Sequence, residues 1–389
     1  MVALSDKLLY CYEDNSLFAE KIDKANVEKS NIMEVVMATT SRPYGQIADR
    51  TGTFAGRFKS VLNPIPVLPS SFTKSFSDIG SERAQELIAR NKEIVVLWSG
   101  GIDSTYVLIK LLKNNPLPGQ ITVYLSDNSI AENPVFYNQY IKDKLNVKFF
   151  NYYFPKEVPT IDQLFVTGDQ IPQIFNYAFT AFLPNRDDPW EPFVLKNFES
   201  QEKAKWFLNT IQPWLNKAPF PIVSIFDYIW WTSFSMRWNN GRFRPFYYNK
   251  TFDKNLFDNN LVSFFRTTDF ELWSMFNHDK KIMTTPQSFK YVMKSEIYEF
   301  DNNLDYFKNK TTERSNYNAI MRDPDLVENS RSLRIEQGNL PVAIDENFNF
   351  IYQQEVIANP ENYKKFLQPT DNNEWYAGSK PLTRNPHWL

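Results

Sequence analysis

Glu93-Ile94-Val95-Val96-Leu97-Trp98-Ser99-Gly100-Gly101-Ile102-Asp103-Ser104-Thr105 is the stretch on which the fold of this 389-residue chain turns. Its first half is a short apolar run that stops at a glycine pair, the pattern of a strand buried on both faces of a parallel sheet. Beyond the glycines, Val107, Leu108, Leu111 and Leu112 recur at helical spacing until Asn114-Asn115-Pro116 ends them. Adjacent glycines let the chain bend tightly and leave bare backbone for a ligand to approach. Free N–H groups at the start of the following helix, aided by its dipole, favour an anion. Ser99 and Ser104 can add hydroxyl donors. Asp103 is out of place beside phosphate alone, but well placed if Mg²⁺ bridges the two.

Working outward, helix and strand signals alternate. Ser81 to Arg90 reads as a helix with a serine cap, Ile121 to Leu125 as a second strand and Val135 to Leu145 as a second helix after the turn. Val147 to Tyr152 and Gln163 to Thr167 follow as strands, the last running into Gly168-Asp169. Strand, helix, strand, helix, strand predicts an α/β fold with a doubly wound parallel sheet. From about 186 to 320 the reading is helical: Ser200 to Trp214, Ile222 to Trp238, Asp269 to Asn277 and Pro286 to Phe300. Ile222 to Trp238 is apolar around much of its circumference and is expected at the centre of the core.

The flanks read differently from this middle. Residues 1–80 form an N-terminal extension or small subdomain, with a short strand expected at Ile32 to Ala38 and a proline-rich linker from about 63 to 80. Residues 81–185 carry the loop and 186–320 the helical part. The tail, 321–389, holds a predicted hairpin turning at Asp345 to Asn347.

Composition removes several function classes. Only 11 glycines occur, against roughly 27 at average usage, and the one adjacent pair is Gly100-Gly101. Aromatics at 16% within 42% hydrophobic residues supply a large core, so global disorder is excluded. A net charge of -2 offers no global basic field, and nucleic acid is not favoured as a partner. One cysteine, Cys11, rules out an intramolecular disulfide and any multi-cysteine metal site, and two histidines leave triad or multi-histidine chemistry poorly supplied. No apolar run approaches a membrane span and no basic-then-apolar start is present, so a soluble, cytoplasmic protein is expected. Abundant Asn, Phe, Tyr and Lys is what AT-rich coding produces, which would make that the host cytoplasm if the source is viral.

Ser99-Gly100-Gly101-Ile102-Asp103-Ser104, set between strand and helix, resembles the PP-loop of the ATP pyrophosphatases, the superfamily of asparagine, beta-lactam, GMP, NAD and tRNA lysidine synthetases. It is unlike Walker A, which needs a wider glycine spacing and a Lys-Ser or Lys-Thr end. The resemblance implies an adenine nucleotide alpha hydrolase-like fold and ATP with Mg²⁺ as cofactors. It also implies a ligase that splits the α–β bond, adenylates a carboxylate and passes it to an amine. Carried over by position, Ser99, Gly100, Gly101, Ile102, Asp103 and Ser104 would hold pyrophosphate, with Asp103 also on the metal. The backbone around Leu97 and Leu125 would receive adenosine.

Two further blocks are similar to the asparagine synthetase branch. In Thr167-Gly168-Asp169-Gln170-Ile171-Pro172-Gln173-Ile174-Phe175, residues Gly168, Asp169 and Phe175 fit that branch's acidic stretch, while Pro172 and Gln173 replace its later acidic pair. Asp169 is then the candidate second metal carboxylate; the same stretch also reads as a capped turn. Leu304 to Lys310 is similar to the late Arg-x-Lys block, with Lys308 in the arginine position and Lys310 as the lysine that steadies transition-state charge. It reads equally as a solvated, lysine-rich helix face. Phe264 to Trp273 faintly resembles the branch's Pro-Phe-Leu-Asp block.

The departures are as informative. Glutamine-using members begin with a nucleophilic cysteine on a glutaminase domain, whereas residue 2 here is Val2 and the extension is short. The nitrogen would come from free ammonia, a substrate amine or a separate ammonia source. Two alternatives stay open: a nucleobase-modifying enzyme, with Arg237, Trp238, Arg242, Phe243 and Arg244 as its nucleic-acid surface, and a nucleotide-binding pseudoenzyme.

Overall fold

The computed structural model describes residues 4–11, 28, 31–40, 47–56, 58–150, 159–176, 180, 183, 185–239, 254–281, 288–310 and 341–366. Its centre is a five-stranded sheet built from β2 (Glu93–Leu97), β3 (Ile121–Leu125), β4 (Asn146–Phe149), β5 (Gln163–Thr167) and β6 (Leu261–Ser263). The spatial order is β4-β3-β2-β5-β6, and every neighbouring pair is parallel. Strand order therefore reverses between β2 and β5, which is compatible with a doubly wound arrangement. The first four strands are legible as short apolar runs. β6, three residues long, carries no such signal and falls within a stretch not expected to form a strand.

Around the sheet lie helices α1 (Ile32–Thr39), α2 (Phe76–Ile88), α3 (Ile102–Lys113), α4 (Asp127–Glu132), α5 (Ile171–Phe175) and α6 (Trp190–Leu195). They continue as α7 (Gln201–Leu215), α8 (Ile225–Met236), α9 (Lys254–Asn259), α10 (Thr268–Phe276), α11 (Tyr291–Asp301) and α12 (Leu304–Asn309). Period-2 alternation along β2 sends Ile94 and Val96 into the main core with α3 and α8. Val95 goes to the opposite face, against Tyr124, Phe165, Phe257, Ile344 and Phe348. Burying an aliphatic side chain of this size contributes about 1.5–3 kcal/mol. Helix α8 is buried at every position, as its apolar circumference predicts.

Several boundaries differ from expectation for identifiable reasons. α2 starts before Ser81, because Ser75 forms a capping box with Asp78. In place of the helix expected from Val135 to Leu145 there is a turn of three residues at Pro134–Phe136 and a π-helical turn at Tyr137–Ile141, with α4 before them. Pro134 has no N–H to continue the α4 ladder.

Ile32 to Thr39 is a helix and not the expected strand. Asn31 accepts from the Met33 N–H at its start, and burial of Met33, Val35, Val36 and Met37 satisfies an apolar run that a strand would have served equally well. The tail hairpin forms as β7 (Pro341–Asp345) and β8 (Phe350–Tyr352), and β1 (Leu8–Cys11) pairs antiparallel with β7. Arg50 and Glu271 form a buried ion pair that joins the loop after residue 47 to α10.

Candidate functional site

The β2-to-α3 turn lies where strand order reverses. In an open α/β sheet this is the place where the two flanking connections part and leave a crevice at the carboxyl ends of the strands. Leu97 ends β2 and Leu125 ends β3 beside it, in register one residue apart (Leu97 against Tyr124). Gly168 follows β5 on the other side, and a Cβ added there would sit 3.2 Å from the Asp103 carbonyl carbon and the Ser104 nitrogen. Three sequence signals far apart in the chain, Ser99 to Ser104, Leu125 and Gly168, thus converge on one strand end.

Within the turn, Ser104 Oγ accepts from the Ser99 N–H at 3.0 Å and lies 3.0 Å from Ser99 Oγ, while the Gly101 N–H donates to Ser99 Oγ at 3.3 Å. Trp98 Nε1 donates to Thr105 Oγ1 at 3.0 Å and pins the strand end to the helix. Gly101 occupies the N-cap of α3 without a side-chain cap. Nothing from a cap side chain covers the first turn, which leaves its positive end to a ligand.

The two glycines serve different purposes. Gly101 has φ -74 and ψ 169, a conformation open to any residue. Gly100 is left-handed at φ +77, and a Cβ there would overlap the Ser129 carbonyl oxygen and come within 2.7 Å of Glu132 Cβ. Its bareness is required by α4 packed against the turn.

Segment 288–310 closes over this turn. Lys290 Nζ donates to both carboxylate oxygens of Asp103, at 2.6 and 2.8 Å. Tyr306 OH donates to the Gly100 carbonyl at 3.1 Å. Lys310 pairs with Glu132, the α4 residue against Gly100. The lysine chosen from sequence therefore reaches the rim of the turn, held by a carboxylate that sequence did not single out. Lys308, placed in the arginine position, is exposed. Lys294, one turn along α11 from Lys290, donates to the Lys310 carbonyl at 3.1 Å, and burial lowers its pKa to about 8.

α11 is docked rigidly on α3. Glu296 pairs with Lys110, and Tyr106 OH donates to Glu296 at 3.2 Å. Burial, followed by the adjacent Glu296 charge, pushes the Tyr106 hydroxyl well above its usual range, so it stays a donor. Lys290 itself is left-handed at φ 56 and ψ 35, a conformation that costs a bulky residue about 1 kcal/mol. Such strain persists only where the surroundings over-determine it. Local sequence gave no sign of this lysine; it sits in a stretch read simply as helix.

The expected metal site fares differently. Asp169 follows Gly168, and its carbonyl accepts from Ser263 Oγ at 3.1 Å, tying it to the end of β6. Pro172 lies in the first turn of α5, and buried Gln173 donates from Nε2 to the Arg237 carbonyl at 3.0 Å. Among the described residues, no group of three or more His, Cys, Asp or Glu could hold a metal ion. Mg²⁺ demands near-octahedral oxygen ligands and is usually held by one or two carboxylates together with substrate phosphates. With both Asp103 oxygens on Lys290 and no acid at 172 or 173, the expected carboxylates are reduced to Asp169, so the turn does not present the pair that a resident Mg²⁺ would take.

Arg237 and Trp238, expected on a nucleic-acid surface, are buried at 4% and 2% exposure. Arg242, Phe243 and Arg244 lie outside the described residues. No helix among the described residues is long and apolar enough to cross a membrane. No family model matches the chain, and no curated protein matches it.

Proposed function

We propose that the β2-to-α3 turn binds the polyphosphate of ATP. In this reading the chain is an ATP pyrophosphatase-type ligase with an adenine nucleotide alpha hydrolase-like core. It adenylates a small-molecule carboxylate and transfers it to an amine or ammonia, with release of pyrophosphate. The observation that carries the reading is the uncapped start of α3 at the point of strand-order reversal, flanked by Ser99, Ser104 and Lys290.

Each part has a task. The α3 N–H groups and the two serine hydroxyls receive phosphate oxygens. Lys290 neutralises charge at the pyrophosphate half, and Lys310, paired with Glu132 on the Gly100 side of the turn, can steady negative charge gathered during acyl transfer. Leu97 and Leu125, at adjacent strand ends, supply the backbone edge for adenosine. In this reading the nitrogen arrives as free ammonia, an amine or from a separate source.

ATP–pyrophosphate exchange on the full chain, with a panel of small carboxylates, tests this reading. Exchange in the wild type that disappears in Asp103→Asn supports it; exchange of equal rate in the variant would sink the site assignment. A second reading, a nucleotide binder without turnover, is favoured by Pro172 and Gln173 where an acidic pair would stand. Tight ATP binding with no exchange on any carboxylate would select it.

A further inference from the structure

We infer that this site binds its polyphosphate without a divalent cation, with the Lys290 ammonium standing in the position that a bridging metal would take. The inference rests on the reading of the turn as a polyphosphate site and departs from what the resemblance implies about cofactors. In a metal-bridged site, a carboxylate at the start of the helix repels phosphate until a dication joins the two. Here the Asp103 carboxylate already has a cation on both of its oxygens, at 2.6 and 2.8 Å.

Three observations make that arrangement more than a resting contact. Lys290 holds its place through a left-handed backbone at φ 56, at the start of a helix fixed to α3 by the Lys110–Glu296 pair and by Tyr106. The positions of the later acidic pair carry Pro172 and Gln173, which leaves Asp169 as the single acid of that stretch. The Gln173 amide is turned into the core, on the Arg237 carbonyl. The charges around the turn also differ from those of a metal site. Lys290 on Asp103 and Lys310 on Glu132 match each of these two acids with an ammonium group beside the positive end of α3. A metal site must leave acids for its ion; these two are already taken. A lysine is a compact point charge with three donors, so Lys290 can keep one bond to Asp103 and give the others to phosphate oxygens.

Calorimetric titration of the full chain with α,β-methylene ATP, in EDTA and again in excess MgCl₂, tests the inference. The expected result is binding in EDTA with a Kd within about threefold of that in magnesium. Lys290→Met should weaken binding in EDTA by about tenfold or more, the effect of losing a charge-assisted hydrogen bond, and Lys290→Arg should recover most of it. Binding seen only with magnesium would overturn the inference while leaving the ATP reading intact; no binding under either condition would overturn both. Equal affinities of Lys290→Met and wild type in EDTA would remove Lys290 from the site. Should Lys290→Met fail to fold by circular dichroism, the wild-type comparison of EDTA with magnesium decides alone.

Discussion

Replacing Gly100 by alanine perturbs the turn in two ways that can be weighed separately. The backbone there is left-handed at φ +77, which for a residue with a Cβ costs about 1–2 kcal/mol. The added Cβ also overlaps the Ser129 carbonyl and lies 2.7 Å from Glu132 Cβ, both on short, well-packed α4. Backbone cannot swing aside as a flexible side chain would, so an overpacking cost of about 1–3 kcal/mol is added. The sum is about 2–5 kcal/mol, large against the 5–15 kcal/mol that holds most domains together. Urea unfolding followed by tryptophan fluorescence would read this as a fall in midpoint at unchanged slope. Gly101→Ala is the control: at φ -74 and ψ 169 it carries no backbone strain. A Gly100→Ala loss below about 0.5 kcal/mol, or one equal to that of Gly101→Ala, would refute the account of why this turn needs a glycine at its first position.

Other tests probe the surrounding scaffold. His278 bonds Asp227 at 2.7 Å amid Phe220, Phe226 and Trp230, and burial, then the nearby Lys281 charge, lowers its pKa from 6.5 to about 4. The unfolded chain binds the proton first as pH falls, so the stability from this group is complete above pH 6.5 and is lost between 6.5 and about 4. Its upper bound is about 3 kcal/mol, and a His278→Gln variant whose pH–stability profile matched the wild type's over that window would contradict it. Glu271→Ala leaves the Arg50 guanidinium buried and unpaired, for an expected loss of about 3–5 kcal/mol in unfolding free energy; a loss under about 1 kcal/mol would mean that the pair is solvated in solution. Tyr306→Phe removes the hydrogen bond to the Gly100 carbonyl at 3.1 Å and should cost about 0.5–1.5 kcal/mol. The same variant should weaken α,β-methylene ATP binding, and unchanged affinity would separate segment 288–310 from the site.

Much of the scaffold was readable because its signals are local. Val95 and Val96 in β2, the glycine pair and the helical spacing of Val107, Leu108 and Leu111 each speak within a few residues of themselves, and the strands from β2 to β5 and the start of α3 emerge from them. Where local signals were ambiguous, the reading failed in a physical way. The run from Ile32 to Ala38 is apolar except at Glu34, which suits a buried strand and a buried helix equally; the Asn31 cap and the Thr39–Tyr228 hydrogen bond hold it as a helix. The start of α2 was misplaced because serine, a capping residue type, stands at both 75 and 81. Only Ser75 has an acid three positions on whose side chain reaches back, while Ser81 lies inside the helix with its hydroxyl on the Ser77 carbonyl.

What the sequence by itself determined about this chain is the glycine turn between a buried strand and a helix, with the α/β alternation around it. The tertiary structure alone decided strand order, and with it the reversal between β2 and β5 at which this turn lies. It also decided that α4 packs against Gly100, that Lys290 pairs with Asp103, and that Lys310 meets Glu132. Backbone propensity and periodicity act over a turn or two of chain, whereas these pairings join residues 178 and 187 positions apart. Only the folded packing brings such residues within reach of one another.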